Sequence, residues 1–110
     1  MVIRGLIYKI DLGETRRGHE QRGRRHGVVL SRANWSMVTI VPTSTGAAPS
    51  PSRVEIELMG QPTRLLVDQI RSIDSTYLLG DPVGYLTAEE MDTLDNVIRR
   101  YLGLGRPPQP

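Results

Sequence analysis

Alternating hydrophobic and polar positions near the start of the chain predict a β-strand. Leu6, Tyr8, Ile10 and Leu12 occupy every second position over residues 5–12. Successive side chains of a strand point to opposite faces, so this spacing is typical of a half-buried strand. Similar apolar and β-branched runs predict strands over residues 26–31, 36–42, 54–59 and 63–67, and a short last strand over residues 82–86. The second of these runs is nearly continuous, which predicts burial on both faces.

Polar segments between these strands predict loops and turns. The longest loop spans residues 13–24, and a long ordered loop in a small domain is usually functional. Residues 43–52, rich in Thr, Ser, Gly, Ala and Pro, form a second predicted loop. A Gly-Gln-Pro segment at 60–62 predicts the turn that joins the fourth and fifth strands into a hairpin.

Helical periodicity begins only near the C-terminus. Thr87 has the properties of an N-cap, and Glu90 completes a capping box three residues later. One face of the predicted helix carries Met91, Leu94, Val97, Ile98, Tyr101 and Leu102. The helix is expected to end near Gly103, and a Pro-rich tail over residues 105–110 is expected to be disordered. Many short strands followed by one helix predict a mainly β, strongly bent small barrel, a single domain over residues 1–104.

Size and composition restrict the class of protein. A length of 110 residues fits one domain, and the absence of cysteine excludes disulfides and thiolate chemistry. No apolar run approaches the roughly 20 residues that a membrane-spanning helix needs, and no leader opens the chain. Acidic residues do not cluster at metal-ligand spacing, so neither a metal nor another cofactor is expected. We therefore expect a soluble, cytoplasmic protein without a membrane partner.

A concentration of positive charge distinguishes the first long loop. Five arginines within ten positions lie beside both histidines of the chain: Arg16, Arg17, Arg22, Arg24 and Arg25, with His19 and His26. Guanidinium groups bind phosphate bidentately, so this local patch indicates a polyanionic partner although the net charge is only +2. RNA or DNA is the first expectation. Trp35, in a polar turn, is a candidate for stacking on a base.

Five segments match, in order, the motifs of one known family. They are residues 4–12 (RGLIYKIDL), 18–31 (GHEQRGRRHGVVLS), 41–45 (VPTST), 68–73 (DQIRSI) and 86–91 (LTAEEM). Together they resemble the MazF/PemK family of bacterial toxins, which are ribosome-independent endoribonucleases of toxin–antitoxin systems. The resemblance extends over residues 4–102. It implies a small SH3-like β-barrel of the CcdB/MazF type.

The resemblance also implies where the catalytic residues lie. Arg25 takes the position of the family's catalytic arginine. The catalytic threonine of the family falls on Ser44, with Thr43 and Thr45 as alternatives on either side. A fixed guanidinium stabilises the charge that grows on the phosphorane, and a hydroxyl can donate to the same phosphate.

Two departures from the family pattern bear on proton transfer. His26 stands where the family usually has proline, and His19 stands where it usually has serine. Arginine is a poor base because its pKa lies above about 12, whereas histidine titrates near neutral pH. His19, His26 and Glu20 are therefore the candidate proton carriers. The candidate RNA-binding residues are Arg16, Arg17, Gln21, Arg22, Arg24 and Trp35. Glu20 and Gln21 could instead close the loop through hydrogen bonds to its own backbone.

The implied function is sequence-specific, metal-independent cleavage of single-stranded RNA, in mRNA, rRNA or tRNA loops. The expected products carry a 2′,3′-cyclic phosphate and a 5′-hydroxyl. The implied partners are a second copy of the chain and a MazE-like antitoxin with an acidic, partly disordered tail, which neutralises the toxin and binds DNA with it. Two alternatives stay open. One is a non-cleaving CcdB-like toxin that binds DNA gyrase, and the other is an inactive nucleic-acid-binding module.

Overall fold

The computed structural model describes residues 3–13, 18, 21–31 and 36–105. Among them are seven β-strands, one more than the sequence pattern predicts, and the predicted C-terminal α-helix. The elements are β1 (Leu6–Asp11), β2 (Arg24–Val29), β3 (Met37–Ser44), β4 (Arg53–Leu58), β5 (Gln61–Leu66), β6 (Arg71–Asp74), β7 (Leu78–Tyr85) and α1 (Ala88–Leu102), with short 3₁₀ turns at Val67–Gln69 and Ser75–Tyr77. The predicted tail lies outside the described residues from Arg106 onward.

The strands form one curled antiparallel sheet in the order β4-β5-β3-β2-β1-β7, and β6 pairs with β3. β3 is central because it pairs with three strands: β6 over residues 37–40, β2 over residues 40–42, and β5 at Thr43 and Ser44. β6 continues through the Ser75–Tyr77 turn into β7, which pairs with β1. This connection bends the sheet back on itself and confirms the predicted bent, barrel-like fold.

Two hydrophobic clusters fill the two faces of the central strands. One cluster joins them to the β4–β5 hairpin and to α1, and its members are Ile7, Val28, Val41, Val54, Ile56, Leu58, Leu65, Val67, Leu86, Leu94 and Val97. The other joins β1, β2, β3 and β6 and consists of Tyr8, Ile10, Leu12, Val29, Val38, Ile40 and Ile73. β3 contributes to both clusters, so its predicted burial on both faces is confirmed.

The helix has the caps that its sequence predicts. Thr87 Oγ1 accepts a hydrogen bond from the Glu90 N–H at 3.1 Å, and Glu90 Oε1 accepts one from the Thr87 N–H at 2.9 Å. Gly103 ends the helix in the left-handed region at φ 72°. Arg4 fastens the helix to the sheet, since its guanidinium donates to Asp95 Oδ1 at 2.5 Å and to the Leu30 carbonyl at 2.9 Å.

The β4–β5 turn differs from the sequence prediction. The turn consists of Met59 and Gly60, with φ angles of 50° and 77°, instead of the predicted 60–62. Two positive φ angles form the tight two-residue hairpin turn whose twist fits the flanking strands. The ladder therefore resumes at once with Leu58 opposite Gln61, and β5 begins two residues before the predicted 63–67.

Other strand limits also differ from the sequence prediction, and one of these differences affects the candidate site. β2 begins at Arg24, whereas the sequence pattern placed its start at His26, so both Arg24 and Arg25 belong to the strand. β3 extends to Ser44 because its last two residues pair with β5. β6 was not predicted, and β7 begins at Leu78 ahead of the predicted 82–86, because both strands obtain their pairing from distant segments.

Candidate functional site

The long loop between β1 and β2 is closed at its base. The Gly23 N–H donates to the Gly13 carbonyl at 2.6 Å, and the Leu12 N–H donates to the Gly23 carbonyl at 3.0 Å. The Gln21 N–H also donates to Gln69 Oε1 at 3.2 Å, which ties the loop to the 3₁₀ turn after β5. These contacts fix the entry to β2.

β2 and β3 separate at one end of the sheet. Their ladder runs from Val29 opposite Ile40 to Gly27 opposite Pro42 and stops there. Pro42 has no backbone N–H, and β3 then pairs with β5. The first residues of β2 and the last residues of β3 consequently form the two sides of a divided sheet end. This division places the arginine-rich and hydroxyl-rich motifs at the same end of the molecule.

Arg25 lies on the β2 side of this division and is half-buried. It pairs with Ile10 of β1, and its Nε donates to the Arg22 carbonyl at 3.1 Å. Within the described part of the chain, the two Nη groups of Arg25 make no hydrogen bond and no ion pair. The guanidinium is therefore oriented by the loop through one nitrogen, while its two terminal nitrogens can still bind an anion.

The three hydroxyl residues at the end of β3 have different environments. Side chains alternate along a strand, so Ser44 shares the face of Pro42, Gly27 and Arg25, whereas Thr43 points to the opposite face. Ser44 Oγ accepts the N–H groups of Gly46 and Ala47 at 3.2 and 3.1 Å. With both acceptor positions used, the Ser44 hydroxyl is set to act as a donor.

The neighbouring hydroxyls are less suited to that role. Thr43 is 4% exposed and pairs with the core residue Leu65. Thr45 is exposed and follows the end of β3. Of the three hydroxyls that the sequence brings forward, only that of Ser44 combines partial exposure with the face that carries Arg25.

His26 lies next to Arg25 but on the opposite face of β2, where it pairs with Lys9 of β1. Burial lowers the pKa of His26, and the positive charge of Lys9 lowers it further. Its Nε2 atom is buried and has no hydrogen-bond partner among the described residues. The imidazole is therefore neutral at neutral pH, the form that can accept a proton.

Positive charge at this end of the sheet is not neutralised by the described residues. Lys9, Arg22, Arg24 and Arg25 form no ion pair with any of them. Asp11 pairs with Arg24 across the strands, yet its carboxylate accepts the Gly13 N–H at 2.8 Å. The cations therefore combine into a local field that attracts polyanions.

Arg53 and Arg64 differ from these cations, because each of them has a carboxylate partner. Arg64 binds Glu55 at 2.6 Å and the Ala47 carbonyl at 2.6 Å. Arg53 binds the Ala48 carbonyl at 2.8 Å and Asp68 at 3.3 Å. Both side chains hold the 45–52 loop in place and have carboxylate partners, so these arginines serve the structure of the loop beside Ser44.

The sequence interpretation missed Lys9, although its pattern contained the signal. Lys9 is the only lysine of the chain, and it occupies a polar position in the alternation of the first strand. Only the pairing of β1 with β2 and β7 shows that it lies beside His26 and Leu79. Of the candidates named from the sequence, Arg16, Arg17, His19, Glu20 and Trp35 lie outside the described residues.

The described residues contain no group of three or more His, Cys, Asp or Glu side chains that could hold a metal ion. In the same part of the chain, no helix is long and apolar enough to cross a membrane.

Comparisons with known proteins agree with this architecture. The family model for the PemK-like, MazF-like toxin of type II toxin–antitoxin systems matches residues 3–102. A curated protein of Mycobacterium tuberculosis, described as a candidate toxin, is 55% identical over 106 residues, covering 94% of this chain and 100% of the relative. The chain belongs to the PemK/MazF toxin family. The resemblance inferred from the five motifs is thereby confirmed.

Solved structures show the PemK/MazF toxin fold over most of the chain. The M. tuberculosis toxin MazF-mt6 superposes with a TM-score of 0.75 at 20% identity, covering 91% of this chain and 98% of that one. A mycobacterial endoribonuclease in complex with its cognate antitoxin gives a TM-score of 0.79 at 22% identity, covering 97% and 100%. MazF from Deinococcus radiodurans gives 0.78 at 24% identity, covering 91% and 94%.

Proposed function

We propose that this PemK/MazF-family chain is an endoribonuclease that cleaves single-stranded RNA without a metal ion. The observation that carries the proposal is the divided sheet end, where Arg25 and Ser44 share a face across the gap between β2 and β3. The same end carries cations that no described carboxylate neutralises. The endoribonuclease named among the structural neighbours supports the same reaction class.

In the proposed reaction, the 2′-hydroxyl of the substrate loses its proton and its oxygen attacks the adjacent phosphorus. The bond to the 5′-oxygen then breaks, and that oxygen takes up a proton. The products are a 2′,3′-cyclic phosphate and a 5′-hydroxyl. Arg25 stabilises the doubly charged phosphorane through its Nη groups, and the Ser44 hydroxyl donates to the same phosphate. Thr43 and Thr45 are the alternative donors.

A side chain or a water molecule must carry the protons, because the arginine remains charged throughout. His26, with its lowered pKa, is in the neutral form that a base requires, although it faces away from Arg25. His19 and Glu20 are the other candidates on the loop. Arg16, Arg17, Arg22 and Arg24 bind the RNA backbone in this proposal, with Gln21 and Trp35 as further contacts.

In the cell, this cleavage inhibits translation and growth until a MazE-like antitoxin neutralises the enzyme. We place the protein in the cytoplasm, where its RNA substrates are, and as a homodimer.

The direct test combines a mixed-sequence single-stranded RNA with the purified protein and excess EDTA. We expect cleavage, with fragments that ligate only after their 5′-hydroxyl ends are phosphorylated. Arg25→Ala, with folding confirmed by circular dichroism, serves as the control against contaminating ribonuclease. RNA that stays intact while it binds would favour the inactive binding module. Loss of activity with EDTA that returns with a divalent cation would contradict metal independence.

A further inference from the structure

A small surface pocket lies beside Arg25, and the proposed reaction assigns no part of the substrate to it. It has a volume of about 320 Å³ and is lined by Lys9, Arg24, Arg25, His26 and Leu79. Volumes of this order fall at the lower end of the range for small-ligand sites, which runs from about 300 to 1,000 Å³. The pocket is formed by three adjacent strands, β1, β2 and β7, so its walls rest on the sheet rather than on the long loop.

The position of the pocket follows from strand pairing. Lys9 pairs with His26 on one side and with Leu79 on the other, so these three side chains share one face of the sheet. Arg24 shares this face with His26, because the two are separated by a single residue. The Arg25 side chain points to the other face, where Ser44 lies. The pocket and the proposed reaction centre therefore lie on opposite sides of the same strand.

The chemistry of the lining combines a flat apolar wall with a cationic rim. Leu79 and the neutral imidazole of His26 supply the wall, while Lys9 and Arg24 supply charges that have no ion-pair partner among the described residues. Unstacked RNA bases bind on aromatic rings and guanidinium planes, and their phosphates bind cations. A carboxylate would use the charges alone and would leave the wall without a contact.

We propose that this pocket is a nucleotide subsite, in which one unstacked base of single-stranded RNA lies against His26 and Leu79. The inference rests on the proposed ribonuclease function and extends it. Beyond Gly27, the edge of β2 no longer pairs with β3. An RNA strand can therefore cross this edge, with the scissile phosphate on Arg25 and a neighbouring nucleotide in the pocket. Lys9 and Arg24 hold the phosphate of that nucleotide.

Three substitutions test the subsite: Leu79→Ala and His26→Ala remove the wall, and Lys9→Met removes a charge but keeps the stem. Stacking of one base on a side chain corresponds to roughly a five- to 150-fold change in affinity. We expect KM to rise within that range for His26→Ala and by less for Leu79→Ala, with kcat nearly unchanged in Leu79→Ala, because Leu79 has no part in the proposed reaction. Sequencing of the cleavage sites in a randomised RNA should show weaker base preference at one position beside the cut.

Matched controls come from the far end of α1. Leu102→Ala and Arg100→Met remove an exposed leucine and an exposed cation outside the pocket. His26→Phe separates the subsite from a proton-carrying role, since phenylalanine preserves a ring for stacking but cannot carry a proton. A KM close to that of wild type with His26→Phe supports the subsite. A lowered kcat with unchanged KM in both His26 variants would overturn it.

Binding to an RNA with a 2′-deoxy residue at the cleavage position gives a readout that does not depend on cleavage. If wild type cleaves RNA while all pocket variants keep its KM, affinity and base preference, the subsite is wrong and the ribonuclease proposal stands. If wild type binds but does not cleave, and the variants bind more weakly, the pocket stands and the ribonuclease proposal fails. Pocket variants that lose affinity only for an acidic peptide would also overturn the assignment.

Discussion

At the scale of single residues, the site depends on which cations lack partners. Arg53 and Arg64 each bind a carboxylate and a loop carbonyl, so their guanidinium groups hold the 45–52 loop in place. Arg25 is oriented by one hydrogen bond, to the Arg22 carbonyl, and has no carboxylate partner among the described residues. An arginine held in this way is already oriented for an anion, which limits the reorganisation needed as charge develops.

We predict that Arg25→Ala lowers kcat by about 10²–10³-fold, the loss typical of removing one donor to a developing oxyanion. Arg25→Lys should restore little, because lysine lacks the planar fork that meets two phosphate oxygens. RNA affinity should fall only modestly, since other cations still contact the backbone. Single-turnover cleavage and filter binding would measure the two effects. Wild-type-like cleavage by a folded Arg25→Ala protein would remove Arg25 from the site.

His26 leads to a prediction about acid stability. Its pKa in the folded protein is lowered by burial and by Lys9, whereas in the unfolded chain it should be near the ordinary value of about 6.5. The folded state therefore binds this proton more weakly. The contribution of His26 to the free energy of unfolding is fully present above about pH 6.5. It is lost as the pH falls through the folded-state pKa, because the unfolded chain takes up the proton more readily.

Urea unfolding between pH 7.5 and 5.5 should show a smaller loss of stability for His26→Gln than for wild type. Asp74→Asn is the control variant, and we expect it to lose as much stability as wild type over this pH range. The pKa of Asp74 is lowered by hydrogen bonds from the backbone N–H and the hydroxyl of Thr76, so this carboxyl titrates below that pH window. Identical slopes for wild type and His26→Gln would show that His26 is not protonated differently on unfolding.

At the scale of secondary-structure elements, the helix is the part most directly encoded by local sequence. Thr87, Glu90 and Gly103 provide both caps, and the described caps match those that the sequence predicts. The short strands are encoded less locally. Residues 71–74 form β6 only because Met37–Ile40 of β3 offers a paired edge, and that edge is more than 30 positions away in the sequence.

The difference between local sequence signals and distant strand pairing also explains how much of the site could be predicted. The motifs made Arg25 and Ser44 candidates, and the order of the strands brings them to the same end of the sheet. The pocket could not be read from the sequence, because it depends on the register of Lys9 with both His26 and Leu79. A register shift between Ile7 and Lys9 in the pairing of β1 with β7 sets the second of these pairings, and the hydrophobic pattern of the two strands does not fix that shift.

Helix capping gives a stability prediction with an internal control. Thr87→Ala removes the hydroxyl that accepts the Glu90 N–H, and such losses typically cost about 1 kcal/mol. Thr93→Ala is the matched control, because the Thr93 hydroxyl donates to the Glu89 carbonyl inside the helix and alanine has the higher helix propensity. Thermal unfolding should therefore show a lower Tm only for Thr87→Ala. Equal effects of the two substitutions would contradict a capping role.

At the scale of the whole molecule, the described surface carries several large apolar side chains. Tyr85 is 73% exposed, Met59 61%, Leu104 60% and Ile3 56%. Tyr77 and Tyr85 are both at least half exposed, in contrast to the buried Tyr8. These side chains are accessible for contacts with a second chain.

We predict a homodimer, since twofold symmetric pairs are the commonest assembly of soluble chains. Size-exclusion chromatography with light scattering should give a mass of twice the 12.3 kDa chain at micromolar concentration. Dilution should be accompanied by a lower Tm if the dimer contributes to stability. A mass of one chain across the micromolar range would contradict the prediction.

The final prediction concerns neutralisation. The cations at the divided sheet end can bind an acidic peptide segment as well as RNA, because both are polyanions. We predict that a cognate antitoxin covers Arg25 and the residues 43–45 with an acidic, partly disordered tail and so prevents RNA from binding.

The antitoxin should displace a non-cleavable RNA from the toxin, and Arg25→Ala should weaken antitoxin binding more than Arg100→Ala does. High salt should weaken both RNA and antitoxin binding, since both depend on the same exposed charges. A toxin–antitoxin complex that is inactive but still binds RNA with the affinity of the free toxin would rule out occlusion and indicate neutralisation through a change in the toxin itself.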